Sequence, residues 1–241
     1  MIKTLKGCTV AAAILSAGTA SAGGLWLNEF GDFAGGRAGA GAAAGTDEAI
    51  TLAYNPASIL RLEGSHLFVS AGAIIGDMKF DTNYSSPGNG DNNGGNAGDV
   101  APLATMAYVN DLGSEKWSAG IALGGLSGAG MDYDDDWVGR YQVTDVSLLL
   151  MGLGVSFSYQ VTDKFAIGVK PLFYYSTLDM DIRIPTSLVT GRNDAKAELD
   201  GDDTGWGVAA GFTYDFSSRT RFGIVWQSEF EIKYDGDLKI K

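Results

Sequence analysis

Cysteine and histidine are almost absent from this sequence, which contains one of each among 241 residues. Because Cys8 is the only cysteine, the chain cannot form an internal disulfide. A Ser-His-Asp triad or a histidine-based metal site would have to use His66, and no serine or aspartate near His66 has the spacing of a partner. We therefore expect no enzymatic activity, no metal and no cofactor, and we interpret His66 as a residue at the rim of a strand.

Positive charge is also scarce, with 17 lysines and arginines against 29 acidic residues and a net charge of −12 at pH 7. This balance disfavours nucleic acid and other anionic partners. Two acidic runs, residues 132–136 and 200–203, could bind calcium through carboxylate oxygens. Neither run matches a complete calcium loop with a bidentate glutamate, so solvated outer loops are the simpler interpretation. Bridging to lipopolysaccharide through divalent ions is a weak variant of the calcium-binding interpretation.

Long apolar runs are confined to the start of the chain, and no later segment reaches the 18 apolar residues of a membrane-spanning helix. The start has the pattern of a secretory signal: Lys3 and Lys6, then an apolar stretch, then small residues at positions 20–22. The sequence therefore predicts a signal peptide over residues 1–22 and a mature chain from Gly23, with a buried N-terminal helix as the alternative. Cys8 would then be removed with the signal.

Glycine is abundant, with 35 residues, and many glycines lie in segments that alternate with a period of two. Residues 117–124 place Trp, Ala, Ile and Leu on one face and Ser, Gly, Ala and Gly on the other, as in a β-strand. Seven such segments follow residue 64. Because the second face carries small residues rather than the charged residues of a water-facing sheet, the pattern favours an antiparallel transmembrane β-barrel over a soluble β-sandwich.

The connections between these segments alternate between long and short, as in outer-membrane barrels with longer extracellular loops. We expect the third long connection over residues 176–203. An odd count of seven strands would leave unpaired edges in lipid, where unsatisfied backbone groups are costly. We therefore interpret residues 64–241 as the first half of a barrel in a truncated chain.

The stretch before the strands, residues 23–63, follows neither period and is rich in alanine and glycine. Its bulky residues, including Trp26 and Phe33, favour a compact plug over a flexible linker. It lacks the Lys-Ser/Thr ending of a phosphate-binding loop. Since Pro56 cannot donate to a strand ladder, we predict that the Asn55–Pro56 pair marks the joint between the plug and the barrel wall.

Two outer connections carry residues whose role the spacing leaves open. Residues 130–141 combine acids with Trp137, Arg140 and Tyr141, which suits either a loop folded toward the lumen or an aromatic pair at the membrane interface. The third long connection has many apolar residues, which indicate either a capture surface for apolar molecules or packing on neighbouring loops. These residues are Leu178, Met180, Ile182, Ile184, Leu188, Val189 and Leu199.

Three pieces of the chain, residues 36–62, 132–171 and 222–237, together carry a resemblance to a known family. "NPA" follows an Ala-rich segment, "DWVGRY" precedes a strand, and "SEF" precedes "GD". In this combination and order, the chain resembles the FadL-type outer-membrane transporters of long-chain fatty acids and aromatic hydrocarbons.

The resemblance implies a 14-stranded barrel in the outer membrane of a Gram-negative bacterium, with a lumen plugged by an N-terminal hatch. It implies capture of hydrophobic molecules by outer loops, passage to a pocket beside the hatch, and sideways exit at a kinked third strand. We also expect a monomer with no cofactor, surrounded by membrane lipid and lipopolysaccharide. A structural or adhesive barrel without transport is the alternative function.

The resemblance also assigns roles to residues of this chain. Gly124 and Gly125 are the nearest counterparts of the strand-three kink. Where many relatives have Pro-Phe-Gly after strand three, this chain has residues 126–128, "LSG", and where many have Asn-Pro in strand four, it has residues 152–154, "GLG". The hatch start matches Gly23, Gly24, Leu25, Trp26 and Leu27; the hatch motif matches Asn55, Pro56 and Ala57; and the capture candidates are Ile182, Ile184, Leu188 and Val189.

Overall fold

Eight β-strands form one antiparallel sheet in the computed structural model, which describes residues 30–81, 92–187, 191 and 193–241. Each strand from β1 to β6 pairs with the next one along the chain, and β8 pairs with β6. The all-β antiparallel prediction is therefore confirmed, whereas the predicted signal peptide lies outside the described residues. The strands are β1 (Ser65–Ile75), β2 (Val100–Asn110), β3 (Trp117–Asp132), β4 (Asp145–Thr162), β5 (Phe165–Ile184), β6 (Ala195–Ser217), β7 (Thr220–Gln227) and β8 (Asp235–Ile240).

The last two strands together form the seventh crossing that the sequence predicts. Both pair antiparallel with β6, from Ala209 opposite Gln227 in β7 to Asp202 opposite Asp235 in β8. The register changes by a single residue between them, because residues 228–234 leave the ladder. The Phe230 ring in this interruption stacks on Tyr174 of β5, with 3.9 Å between ring centroids.

The two faces of the sheet have the composition that the alternation predicts along β3 to β7. Bulky residues are exposed on one face, with Trp117 at 51% and Trp206 at 71% exposure, while neighbours such as Ser118 and Ala209 are buried on the other. A continuous apolar outer surface of this kind is expected where strands contact lipid rather than water. Among the described residues, no helix is long and apolar enough to span a membrane.

The alternation of long and short connections is confirmed. The long connections lie at one end of the sheet and comprise residues 76–99, 133–144 and 185–194. The short connections lie at the opposite end and comprise residues 111–116, 163–164 and 218–219.

The predicted extent of the third long connection, residues 176–203, is wrong. β5 and β6 pair far beyond the expected ends, to Ile184 opposite Ala195, so Ile182 and Ile184 lie on a strand rather than in a loop. This outer extension alternates apolar and charged residues, and its charges pair across the strands: the Lys196 ammonium lies 2.8 Å from the Asp181 carboxylate. The charged residues of this extension favour a loop in the sequence pattern, because charged strand faces suit water rather than lipid.

Residues 30–64, called the N-terminal segment below, lie against the small-residue face of the sheet. The segment contains a short helix, α1 (Thr51–Tyr54), followed by a 3₁₀ helix (Pro56–Arg61), and the 3₁₀ helix contacts β3, β4, β5 and β6. The approach is close: a Cβ added to Gly168 of β5 would lie 2.5 Å from the Ala57 nitrogen. Small inward residues therefore allow the backbone of the segment to rest directly on the wall.

The Asn55–Pro56 pair does not mark the joint with the wall, contrary to the prediction. Asn55 is the N-cap of the 3₁₀ helix and is fully buried, whereas the segment joins β1 only after residues 62–64. Proline is well tolerated in the first turn of a helix, where its missing N–H has no partner to lose. The breaker therefore separates two short helices inside the segment.

Candidate ligand cavity beneath the N-terminal segment

A cavity of about 400 Å³ lies between the N-terminal segment and the inner faces of the strands. Its volume is in the range of small-molecule sites, which are concave and mostly apolar. Most of its lining is apolar, and the polar exceptions are few. The segment contributes Phe30, Ile50, Leu52, Ala53 and Tyr54; the strands contribute Thr105, Ala122, Leu123, Gly124, Leu126, Gly152, Gly154, Lys170, Leu172, Tyr174, Val225 and Gln227.

The wall beside the cavity is interrupted in strand β3. The register of β3 against β4 shifts between Gly125 and Ser127, which makes Leu126 the extra residue of a bulge. Pairing of β2 with β3 ends at Thr105 opposite Gly124, and both of these residues line the cavity. The two kink candidates, Gly124 and Gly125, therefore lie at this irregularity.

Beyond the bulge, β2 and β3 separate before they meet again. In the part of the chain that the structure describes, residues 100–104 of β2 have no ladder partner on β3. An isolated bridge between Gly98 and Met131 rejoins the two sides farther out. The result is a local break in the hydrogen-bonded ladder between β2 and β3, called the opening below, which is bounded at both ends and adjacent to the cavity.

The two departures from the family pattern meet at the bulge. A Cβ added to Gly152 of β4 would lie 2.4 Å from Cδ1 of Leu126, so the side chain of Leu126 occupies the space that Gly152 leaves free. "LSG" on β3 and "GLG" on β4 are thus packed against each other. A change in one of these stretches requires room in the other.

Lys170 is the charged residue of the cavity lining. Its side chain points inward from β5, only 4% of the residue is exposed, and its Nζ donates hydrogen bonds to the carbonyl oxygens of Leu52 at 3.0 Å and Ala53 at 2.6 Å. Gly154 provides room for the lysine stem, since a Cβ there would lie 3.0 Å from Cδ of Lys170. Among the described residues, Lys170 has no ion pair with a carboxylate.

Lys170 was not among the candidates predicted from the sequence. The alternation of β5 already placed it on the inward face, with Ala166 and Gly168. A lone charge on the small-residue face of a membrane strand is the signal that could have identified it, because intramembrane ionisable residues are expensive and usually functional.

Tyr174 closes the side of the cavity nearest the interrupted seventh strand. It is fully buried, its hydroxyl accepts a hydrogen bond from Nε2 of Gln227 at 3.1 Å, and its ring stacks on Phe230. Buried tyrosines usually find a partner for the hydroxyl. Through Phe230, the interruption of the seventh strand therefore packs against a residue that lines the cavity.

Asn55 fastens the N-terminal segment to two strands. Its Oδ1 accepts from the Ala57 backbone N–H at 3.0 Å, which caps the 3₁₀ helix. Its Nδ2 donates to the carbonyl oxygens of Ala43 at 2.7 Å, Phe212 at 3.2 Å and Ile224 at 3.3 Å. The buried side chain of Asn55 thus joins the 3₁₀ helix and the backbone at Ala43 to β6 and β7. Pro56, beside it, accepts a hydrogen bond on its carbonyl oxygen from the hydroxyl of Ser158, at 2.5 Å.

The outer loops are packed around the "DWVGRY" stretch. Trp137 stacks on Tyr133 with 3.9 Å between ring centroids, and its Nε1 donates to the Val143 carbonyl at 2.8 Å. The Tyr141 hydroxyl donates to the Asp194 carboxylate at 2.8 Å, and Arg140 forms an ion pair with the same carboxylate. These contacts join the connection between β3 and β4 to the one between β5 and β6.

Asp194 gives this loop cluster a defined pH dependence. Hydrogen bonds from Ser187 and Tyr141 stabilise the charged form and lower the pKa of its carboxyl group to about 2. Since the pKa in the folded loop lies below its usual value, the stabilisation is fully present above about pH 4 and is lost as the pH falls toward 2.

We predict that Asp194→Asn makes the outer loops more sensitive to protease at pH 7, because a neutral amide cannot balance the Arg140 guanidinium. The rate of proteinase K cleavage within residues 133–194 measures this effect. The matched control is Asp163→Asn, which changes an exposed aspartate in the turn at the opposite end of the sheet. Equal cleavage rates in the wild type and Asp194→Asn would refute the prediction.

The remaining sequence candidates lie apart from the cavity or outside the described residues. Ile182 and Ile184 are half-buried on the outer part of β5, and His66 is half-buried in β1, with Nε2 2.9 Å from the Glu63 carbonyl oxygen. In the described ranges, no group of three or more histidine, cysteine or acidic residues could hold a metal ion. Outside the described residues lie the hatch-start candidates and two capture candidates: Gly23, Gly24, Leu25, Trp26, Leu27, Leu188 and Val189.

A family model and curated proteins from two bacteria all match most of this chain. Residues 13–241 match the family model described as outer membrane protein transport protein (OMPP1/FadL/TodX). The chain is 27% identical over 257 residues to the long-chain fatty acid transport protein of Escherichia coli O6:H1, covering 98% of this chain and 56% of the relative. It is 30% identical over 233 residues to the 47 kDa outer membrane protein of Pasteurella multocida, covering 91% and 53%.

A solved structure has the same fold. The crystal structure of a Pseudomonas aeruginosa FadL homologue aligns with a TM-score of 0.66 at 19% identity, covering 86% of this chain and 53% of that one. A deltaS2 mutant of the TodX monoaromatic hydrocarbon channel aligns with a TM-score of 0.60 at 19% identity, covering 80% and 56%. The chain spans about half the length of the curated relatives it matches.

Proposed function

The chain belongs to the outer membrane protein transport family (OMPP1/FadL/TodX) of Gram-negative bacteria, and from this membership we propose that the protein moves hydrophobic molecules across the outer membrane. The proposed substrates are long-chain fatty acids or aromatic hydrocarbons, as the names of its relatives indicate. We propose no catalytic activity, since the candidate site has an apolar lining and carries no nucleophile paired with a base.

The observation that carries the proposal is an apolar cavity directly beside an opening in the wall. A barrel with a purely structural role gains nothing from a 400 Å³ cavity at the point where two strands separate. The bulge at Leu126 shifts β3 against β4 at the point where the ladder between β2 and β3 ends. Bulges are known to occur next to functional sites, where they redirect a side chain or end pairing.

We propose the following route. A hydrophobic molecule is captured among the outer loops, where Ile182, Ile184, Leu188 and Val189 are the candidates, and enters the cavity beneath the N-terminal segment. It leaves sideways between β2 and β3 at the Gly124–Gly125 bulge. The segment acts as a hatch whose start, residues 23–27, contributes to binding, and which is fastened through Asn55, Pro56 and Ala57.

Transport of this kind needs no energy source within the protein. Lipopolysaccharide presents a polar layer that apolar molecules cross poorly, whereas the bilayer interior favours them by about 0.8 kcal/mol for each buried methylene group. An apolar path with a lateral exit removes the barrier and lets the substrate move downhill into the membrane. We further propose that the protein acts as a monomer surrounded by outer-membrane lipid and lipopolysaccharide.

Uptake by whole cells tests the proposed function. Cells that express the complete protein are expected to take up labelled oleate or labelled toluene faster than matched cells that lack it. A hydrophilic solute of similar size is the control, since its uptake is expected to be the same in both strains. Equal uptake of both hydrophobic probes in the two strains would contradict transport and favour a structural or adhesive barrel.

A further inference from the structure

Lys170 supplies a buried positive charge to a cavity whose other lining residues are uncharged. Burying an ammonium group is costly unless it is paired and hydrogen-bonded. The contacts that the structure gives its Nζ are two backbone carbonyl oxygens, of Leu52 and Ala53. In the described part of the chain, no acidic side chain compensates its charge.

The hydrogen-bonding capacity of Lys170 is not exhausted by these contacts. An ammonium group has three N–H donors, and the two carbonyl oxygens account for two of them. One donor is therefore available to a ligand in the cavity without loss of the contacts to α1. A carboxylate is the group that would satisfy both the free donor and the uncompensated charge, through a short charge-assisted hydrogen bond.

We propose that Lys170 binds the carboxylate of a long-chain monocarboxylic acid in the cavity and thereby selects such amphiphiles over neutral hydrocarbons. This inference rests on the proposed function and narrows its substrate class. The apolar tail lies along the aliphatic part of the lining, which includes Leu52, Leu126 and Leu172. A neutral aromatic hydrocarbon gains the same apolar contacts but leaves the free donor without a partner, which is the basis of discrimination at buried polar groups.

Lys170 also connects β5 to α1, so a purely structural role has to be distinguished from ligand binding. If the lysine only holds the N-terminal segment in place, its loss alters the cavity for every ligand alike. If it binds the carboxylate, its loss weakens carboxylate ligands selectively. Two ligands with the same chain and different head groups therefore separate the two roles.

The test measures the binding of oleate and of oleyl alcohol to the complete protein in detergent micelles. The variants are Lys170→Met, which keeps an unbranched stem without the charge, and Lys170→Arg, which keeps the charge. Lys164→Met, at an exposed lysine in the turn between β4 and β5, is the matched control. Thermal melting of each variant confirms that it is folded.

We expect the wild type and Lys164→Met to prefer oleate. In Lys170→Met, oleate affinity is expected to fall by about 10- to 100-fold, the range for a lost hydrogen bond to a charged group, while oleyl alcohol binding is retained. Lys170→Arg is expected to retain the preference for oleate. An equal loss of both ligands in Lys170→Met, or no change in either, would overturn the carboxylate assignment while leaving apolar transport intact. A wild-type protein that binds neither ligand would contradict the proposed function itself.

Discussion

Deletion of Leu126 is expected to reduce hydrophobic uptake to the level of cells that lack the protein. Leu126 is the extra residue of the β3 bulge, with Gly125 opposite Met151 on one side and Ser127 opposite Leu150 on the other. Without it, these pairs become consecutive, and β3 alternates regularly along its whole length. We expect β2 then to pair with the regular β3 beyond Thr105 and so to close the opening beside the cavity, at the cost of the outer Gly98–Met131 bridge, whose register the deletion shifts by one residue.

The deletion separates exit from binding. Residues after the bulge keep their partners on β4, so the inward and outward faces of the outer half of β3 are preserved. Uptake of labelled oleate by cells measures exit, and oleate binding to the purified protein measures occupancy of the cavity. We expect uptake to fall to background while oleate still binds, with its affinity reduced only by the loss of the Leu126 contact.

The matched control for the deletion is Leu126→Ala, which retains the bulge but removes most of the side chain that packs over Gly152. Leu126→Ala is expected to retain uptake, because the backbone opening remains. Undiminished uptake in the deletion variant, with the variant present in the outer membrane at the wild-type level, would exclude an exit between β2 and β3.

Replacement of Asn55 by alanine is expected to release the N-terminal segment from the wall. Asn55 is fully buried and shares its two amide hydrogens among the carbonyl oxygens of Ala43, Phe212 and Ile224, while its oxygen caps the 3₁₀ helix. Loss of these bonds leaves buried carbonyl groups with fewer donors. We expect the segment to be destabilised by about 2–4 kcal/mol, given about 1–3 kcal/mol for each unsatisfied buried group.

Hydrogen exchange measures this release. In Asn55→Ala, the amides of residues 43–62 are expected to exchange faster, while those of β3 to β5 are unchanged because their ladders do not use Asn55. Asn93→Ala is the matched control, since Asn93 is exposed in an outer connection and, among the described residues, its side chain accepts one hydrogen bond, from the nearby Gly95. Unchanged exchange across residues 43–62 would show that Asn55 does not hold the segment.

The close fit at Gly211 offers an independent check from the other side of the same contact. A Cβ added to Gly211 of β6 would lie 2.2 Å from Oδ1 of Asn55. Gly211→Ala is therefore expected to disturb the same amides as Asn55→Ala. If both variants speed hydrogen exchange at the same amides, the contact between Asn55 and Gly211 is what holds the segment.

The faces and the order of the strands could be predicted from the sequence because the barrel pattern is local. Trp117 and Ser118 differ in size and environment, and that difference repeats every second residue along each strand. Turn residues and the alternation of connection lengths are local as well. Antiparallel pairing of consecutive strands follows from them without knowledge of distant contacts.

The extensions of β5 and β6 and the position of the Asn55–Pro56 pair were predicted wrongly for different reasons. Beyond the lipid, Asp181 and Lys196 form cross-strand pairs, so the apolar criterion that identifies membrane strands no longer applies. Asn55 and Pro56 read as a joint because proline ends strand ladders. Whether two helical turns pack inside the lumen depends on contacts with Phe212 and Ile224, which are far away in the sequence.

The features that make the cavity specific are also non-local. The bulge at Leu126 depends on the space above Gly152, and the burial of Lys170 depends on the carbonyl groups of α1. An alternating sequence alone does not reveal which residue will be extra in a ladder. The inward position of Lys170 was available from its place among small residues, but its hydrogen-bond partners were not.

Photolabelling with a diazirine derivative of a long-chain fatty acid tests most directly whether the cavity is the ligand site. Residues that line it, such as Tyr54, Leu126 and Leu172, are expected to be labelled, and excess unlabelled oleate is expected to prevent their labelling. The outer face has an apolar groove of about 640 Å³ lined by residues that include Trp117, Phe157 and Trp226, where label dissolved in lipid reacts without competition. Labelling confined to that outer groove and unaffected by oleate would contradict a ligand site beneath the N-terminal segment.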